Sequence, residues 1–272
     1  MSPEDRRIKK FIDRVDKDKL ISISNIKSIF SSYNHDDTNR YEQSIVWHDV
    51  GALFFLLYVK RNYGDICDIH IDEKELIKDK SSLLEWIQNL DYEMDDENNP
   101  RYHIYYKNQK FHYDTRLICK SNKLQIHIVS HSFPVGSGHL GCIFIKDEKV
   151  YYYDPNGLKD SDEATYYDLF EKKLSEEMIK YGMVYYPYRW KKGIQVIQDN
   201  EESKYGMDIM GMCCAWTYLM IELKLMNPGL TIEEIENKLK TKYKYRLTRM
   251  IVSYQQEMHN ILFGLARECY LK

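Results

Sequence analysis

Three short runs of strand-forming residues follow one another in the middle of this chain, and helical patterns lie on both sides of them. The runs 124–130, 140–146 and 150–154 are rich in β-branched and aromatic residues, and glycine, proline and a tight turn at 146–149 separate them. Such runs predict consecutive strands. The fold class is therefore predicted to be α+β: a small mixed or antiparallel sheet flanked by helices, behind a helical N-terminal extension.

Apolar residues at helical spacing predict helices before and after the strands. The predicted helices span 4–15, 20–30, 44–60, 81–90, 164–181, 213–225 and 243–271. Thr231 and Glu234 form a capping box, which predicts the start of one more helix. An acidic, asparagine-rich stretch, 91–100, marks a predicted boundary between a helical accessory region, 1–95, and a second domain, 96–272.

Beyond the central runs, the stretch 183–188 predicts a further strand, which 195–197 extends or follows. The acidic stretch 199–204 is interpreted as a flexible insertion.

The composition of the chain limits the partners and the cellular compartment that we expect for it. The formal net charge of -3 shows no basic excess, so nucleic acid is not the first expected partner, although it stays open as an activator. The longest apolar run, 50–59, is too short to span a bilayer, and the N-terminus has no signal-peptide pattern. The six cysteines lack the spacing of a disulfide framework, which predicts a reducing, intracellular setting.

A histidine and an aspartate stand at the two ends of one predicted hairpin. His139 begins the strand that follows Gly138, and Asp154 ends the next strand, with the turn about midway between them. The hairpin therefore predicts that the two side chains meet, as the base and its orienting carboxylate do in a nucleophilic triad. Taken alone, a surface histidine beside an ordinary Asp-Pro-Asn-Gly turn would explain the same residues.

A cysteine pair opens the apolar helix predicted at 213–225. Cys213 and Cys214 lie at its N-terminus, where unpaired N–H groups lower a thiol pKa and can bind an oxyanion. Two buried core cysteines would be the plainer interpretation of this pair. Upstream, the side-chain amide of Gln195 could donate to a developing oxyanion, and Gln198 is an alternative.

The order of these residues resembles one group of cysteine peptidases. Histidine, aspartate one hairpin later, glutamine, then cysteine at a helix start is the order of the adenain and ubiquitin-like-protein protease group (clan CE), which includes the SUMO-deconjugating enzymes. The chain also resembles members encoded by large DNA viruses, in which Gly-aromatic-Cys-x-x-Trp precedes a helix and Asn-Pro. Gly211-x-Cys213-x-x-Trp216 and Asn227-Pro228 match that pattern, and the resemblance covers roughly 125–240.

The resemblance implies a papain-like or adenain-like core and a role for each matching residue. His139 would be the general base, Asp154 its orienter, Gln195 the oxyanion donor and Cys213 the nucleophile. Two departures stand against it: Met212 replaces the aromatic residue, and 196–212 is longer than the corresponding stretch of the adenovirus and SUMO enzymes. The longer stretch leaves Gln198 open as the oxyanion donor, and the cysteine doublet leaves Cys214 open as the nucleophile.

The resemblance also implies a protein substrate, either a viral polyprotein or a ubiquitin-like conjugate, and no metal or organic cofactor. The expected location is the host cytoplasm or the virion. Two rivals stay open: acetyl transfer within the same clan, and a catalytically dead binding module. His131 is a weaker substitute for His139, and the histidine spacing argues against zinc.

Overall fold

The computed structural model describes part of the chain. The described residues are 49–68, 101–106, 109–111, 123–132, 138–157, 182–186, 192–206 and 212–271, most of 171–179, and residues 22, 24, 25 and 46. The helices predicted at 4–15 and 81–90 and the boundary predicted at 91–100 lie outside these residues, and the helix predicted at 20–30 is described only at 22, 24 and 25.

Seven strands of the described residues form one mixed sheet. They are β1 Cys67–Asp68, β2 Arg101–Tyr106, β3 Gln109–Phe111, β4 Leu124–Ser132, β5 Gly138–Lys146, β6 Lys149–Tyr153 and β7 Val184–Tyr186. The order is β3-β2-β4-β5-β6-β7, and β1 pairs with β4 in addition. The pairs β1–β4 and β6–β7 are parallel and the others antiparallel. The α+β class and the predicted strands β4 to β7 are confirmed, whereas β1 to β3 were not predicted.

Five helices are described over their length. They are α1 Asp49–Tyr63, α2 Ile194–Lys204, α3 Cys213–Met226, α4 Ile232–Lys242 and α5 Leu247–Leu271. The predicted capping box is present, since the Thr231 hydroxyl accepts from the Glu234 N–H and the Glu234 carboxylate accepts from the Thr231 N–H. Helix α5 begins four residues later than predicted because a turn precedes it, in which Tyr245 has a φ of 65°.

Helix α2 corrects two predictions. The stretch 195–197 is not a strand and 199–204 is not a flexible insertion, since both belong to one helix. Its buried residues are Ile194, Gln198, Glu201 and Glu202, which recur at helical spacing. Three of these four are polar, so the face that this helix buries carries almost no apolar signal in the sequence.

Helix α3 lies at the centre of the core. Eleven of its 14 residues are buried. Phe55 of α1 stacks on Tyr218 of α3 with ring centroids 4.1 Å apart. Residues 49–68, which fall in the predicted accessory region, therefore pack into the same core as α3, while the boundary near residue 95 stays a prediction. Among the described residues, no helix combines the length and apolar character needed to cross a bilayer.

Candidate active site

The β5–β6 hairpin brings His139 and Asp154 into contact. Its register pairs Cys142 with Tyr153, which places Asp154 opposite Gly141 and diagonal to His139 on the same face of the sheet. The His139 Nε2–H donates to Asp154 Oδ1 at 2.8 Å. The histidine is 5% exposed and the aspartate 0%, so the predicted contact is made in a buried site.

The Asp154 carboxylate is held by two further donors. The Asn156 N–H donates to Oδ1 at 2.8 Å, and the Tyr152 hydroxyl donates to Oδ2 at 3.1 Å. Gly141 makes room for this arrangement: a Cβ there would lie 2.9 Å from the Tyr152 hydroxyl oxygen and 2.7 Å from the Tyr153 carbonyl oxygen. The site thus needs this glycine for space inside the strand.

Cys213 reaches the same histidine from the first turn of α3. The thiol is buried and hydrogen-bonds to the His139 ring. Asp154 occupies Nε2, so Nδ1 is the ring nitrogen left for the sulfur. The amide of Asn156 also faces Nδ1, with Nδ2 at 3.4 Å.

The pKa values of the cysteine and the histidine shift in opposite directions. A hydrogen bond from the Cys214 thiol and the charge of His139 outweigh the effect of burial and hold the pKa of Cys213 well below its usual value. Burial alone would lower the pKa of His139, but the charges of Asp154 and Cys213 together raise it well above its usual value. Both shifts favour a thiolate beside an imidazolium, the reactive form of a cysteine nucleophile.

The two neighbouring cysteines differ in their contacts. Cys213 is the one that contacts the His139 ring. Cys214 is half-buried, and its thiol acts on Cys213: a hydrogen bond that lowers a thiol pKa must donate to the thiolate. In this geometry Cys214 supports the charge on its neighbour.

The two candidate glutamines lie in different surroundings. Gln198 is fully buried, its Oε1 accepts from the Trp216 indole N–H at 2.9 Å, and its Nε2 donates to Glu202. Both ends of that amide are therefore used inside the core. Gln195 lies in the first turn of α2, and its Oε1 is buried without a hydrogen-bond partner. Of the two amides, only that of Gln195 has an oxygen without a hydrogen-bond partner.

Helix α2 begins against the loop that carries Asp154. The Gln195 N–H donates to the Pro155 carbonyl oxygen at 2.9 Å, and the Gly193 N–H donates to the Asn156 carbonyl oxygen at 2.9 Å. A Cβ on Gly193 would lie 2.1 Å from the Pro155 oxygen, so only glycine allows this approach. These contacts place Gln195 beside the residues that orient His139.

The structure adds residues that the sequence did not single out. Asn156 belongs to the Asp-Pro-Asn-Gly turn, and its N–H and amide face the Asp154–His139 pair. The Asx-turn formed by an Asp-x-Asn sequence was the available signal. Tyr152 lies two residues before Asp154, and alternation along β6 would have placed both on one face. His131 is opposite His139 in the β4–β5 register, but its side chain lies outside what is described.

Among the described residues, no group of three or more His, Cys, Asp or Glu side chains could hold a metal ion. Comparisons of the chain with protein-family models, curated proteins and solved structures returned no match.

Proposed function

We propose that this protein is a cysteine peptidase that cleaves peptide or isopeptide bonds with Cys213 as its nucleophile. The observation that carries the proposal is the buried chain of contacts from Asp154 through His139 to Cys213, in which the thiol pKa is lowered and the imidazole pKa raised. A core cysteine without a function would have its pKa raised by burial, as that of Cys142 is.

The reaction would proceed through an acyl-enzyme. The Cys213 thiolate attacks the carbonyl carbon, a C–S bond forms, and the His139 imidazolium gives its proton to the leaving nitrogen as the C–N bond breaks. The amine product departs. His139, now neutral, takes a proton from water, the hydroxide attacks the thioester, and cleavage of the C–S bond releases the acid and restores the thiolate.

Two groups are candidate hydrogen-bond donors to the negatively charged oxygen of the tetrahedral intermediate. The main-chain N–H groups at the start of α3 point toward its N-terminus, where a helix favours negative charge. The Nε2–H of the Gln195 side-chain amide is the second candidate, since α2 is fastened to the loop beside His139.

The resemblance to the adenain and ubiquitin-like-protein protease group supports the choice of peptidase over other acyl-transfer enzymes. It also supports an adenain-like core, and a protein substrate that is either a viral polyprotein or a ubiquitin-like conjugate. Such substrates would place the enzyme in the host cytoplasm or the virion.

Thiol labelling tests the proposal directly. Wild type, Cys213→Ala, Cys214→Ala and His139→Ala would be treated with iodoacetamide near pH 6, where ordinary thiols are largely protonated. We expect fast labelling at one site that Cys213→Ala abolishes and His139→Ala slows strongly. Equal slow labelling of all four proteins would overturn the proposal and leave a non-catalytic module.

Ubiquitin and SUMO probes that carry a C-terminal electrophile then distinguish the substrates. A probe adduct that requires Cys213 and His139 indicates a deconjugating enzyme. A reactive Cys213 that ignores both probes indicates a polyprotein or another peptide substrate.

A further inference from the structure

Helix α3 is fastened to strand β5 one turn beyond the cysteine. Thr217 follows Cys213 by four residues, so it lies on the same face of the helix. Its hydroxyl donates to the Leu140 carbonyl oxygen at 2.9 Å, and both residues are buried, at 0% and 4% exposure. Leu140 directly follows His139 in the chain, so this bond links the helix of the nucleophile to the strand of the base.

The main chain of Leu140 makes a second contact with the same helix. A main-chain hydrogen bond from Leu140 favours the charged form of Cys213, and the only main-chain group that can donate is its N–H. In the described register, β6 pairs with β5 from Cys142 onward, so Leu140 lies beyond the last paired residue of β6. Helix α3 occupies that place, and both polar main-chain groups of Leu140 contact it.

We propose that Thr217 is a positioning residue, whose bond to Leu140 holds α3 at the depth and rotation that keep the Cys213 sulfur against the His139 ring. The proposal rests on the proposed function and adds to it a residue that does not touch the reacting atoms. Helix and strand are each rigid, so a bond one residue from the base and one turn from the nucleophile constrains the distance between the base and the nucleophile. A misplacement of about 1 Å between reacting groups can cost about 100-fold in rate.

Three titratable groups lie around the Cys213 thiol, in addition to the Leu140 N–H that donates to it. His139 faces Cys213 from β5, Asp154 lies behind that histidine at the end of β6, and Cys214 donates from the same helix. Substitution of Thr217 leaves all three in place. A change in the ionisation of Cys213 would therefore report a changed position rather than a lost partner.

The test compares Thr217→Val, which keeps the shape and removes the hydroxyl, with Thr217→Ser, which keeps the hydroxyl. The rate of Cys213 alkylation by iodoacetamide is measured from pH 4 to pH 10, together with the melting temperature. We expect Thr217→Val to move the thiolate titration to higher pH and, at pH values below the wild-type midpoint, to slow alkylation by about tenfold for each unit of that shift. Thr217→Ser should titrate as wild type does.

Tyr254→Phe is the matched control for stability. It also removes a buried hydroxyl donor to α3, at Glu222, but far along the helix from the cysteine. We expect this control to lower the melting temperature as Thr217→Val does and to leave the Cys213 titration unchanged. If Thr217→Val also titrates as wild type does, Thr217 is merely structural and the inference is overturned while the proposed function stands. A wild-type Cys213 with the titration of an ordinary thiol would overturn both.

Discussion

The charge of Asp154 acts on Cys213 through the ring of His139. Replacement by asparagine keeps an acceptor for the Nε2–H and for the Asn156 N–H but removes the charge that raises the pKa of His139. The His139 imidazolium is then less stable, so the Cys213 thiolate loses its positively charged partner. We therefore expect Asp154→Asn to raise the pKa of Cys213 and, below that pKa, to slow alkylation about tenfold per unit. The measurement is the pH dependence of the alkylation rate.

Tyr152→Phe is the graded comparison for that substitution. It removes the donor to Asp154 Oδ2 and leaves the carboxylate charged, so the shift of the Cys213 pKa should be much smaller than that in Asp154→Asn. An Asp154→Asn protein whose Cys213 titrates as in wild type would show that the aspartate has only a structural role.

The hairpin turn holds two non-glycine residues in the left-handed region. Asp147 and Glu148 have φ values of 51° and 61° between paired Lys146 and Lys149. Two-residue turns of this kind favour Asn-Gly. We expect replacement of both residues by Asn-Gly to raise the free energy of unfolding by about 1 kcal/mol, measured by urea denaturation, because glycine accepts positive φ without strain. The alkylation rate of Cys213 should not change, and a loss of stability would contradict the assigned geometry.

At the scale of elements, apolar period and turn chemistry predicted much of the scaffold. Strands β4 to β6 and helix α3 follow from their apolar patterns, helix α4 follows from its capping box, and the midpoint of the hairpin was enough to bring His139 to Asp154. Helix α2 could not be found in this way, because it buries polar residues that hydrogen-bond within the fold. Glu201, for example, accepts from the Leu247 and Thr248 N–H groups and so caps α5. The contact between Thr217 and Leu140 likewise joins residues 77 positions apart, which no local pattern reveals.

Gly193 is the point where α2 meets the loop of Asp154. With a φ of -68° it is not needed for its backbone conformation, only for space, since a Cβ would lie within 2.1 Å to 2.6 Å of three main-chain atoms. We expect Gly193→Ala to separate helix and loop, lowering the free energy of unfolding by about 1–3 kcal/mol and slowing Cys213 alkylation as well. Urea denaturation and the alkylation assay measure the two effects.

Gly264 in α5 provides the control for that substitution. A Cβ there meets nothing within 4 Å, and the residue is exposed in a helix interior. Gly264→Ala should therefore stabilise the protein by up to about 1 kcal/mol with unchanged alkylation. If Gly193→Ala behaved in the same way, the close packing of α2 on the loop would be wrong.

For the molecule as a whole, one buried carboxylate joins three helices behind the site. Glu222 of α3 accepts from the Tyr58 hydroxyl of α1 at 2.7 Å and from the Tyr254 hydroxyl of α5 at 2.9 Å. Its side chain is 2% exposed, so the two phenols take the place of water around it. Glu222 thereby holds α3 to α1 and α5. The start of α3 is held to the sheet separately, by the bond between Thr217 and Leu140.

This arrangement predicts how the free energy of unfolding falls at alkaline pH. Burial, then Glu222, raises the pKa of Tyr254 well above its usual value, so the folded state holds that proton more tightly than the unfolded chain does. The resulting stability is complete below the unfolded pKa of about 10 and is lost above it, by about 1.4 kcal/mol per pH unit. We expect Tyr254→Phe to be less stable at pH 8 and to lose stability less steeply between pH 10 and pH 11, in urea denaturation at each pH. The control is Tyr245→Phe, at a residue that is 64% exposed, and it should keep the wild-type slope of the free energy of unfolding against pH. If Tyr254→Phe also kept that slope, the Tyr254 phenol would not be held protonated against Glu222.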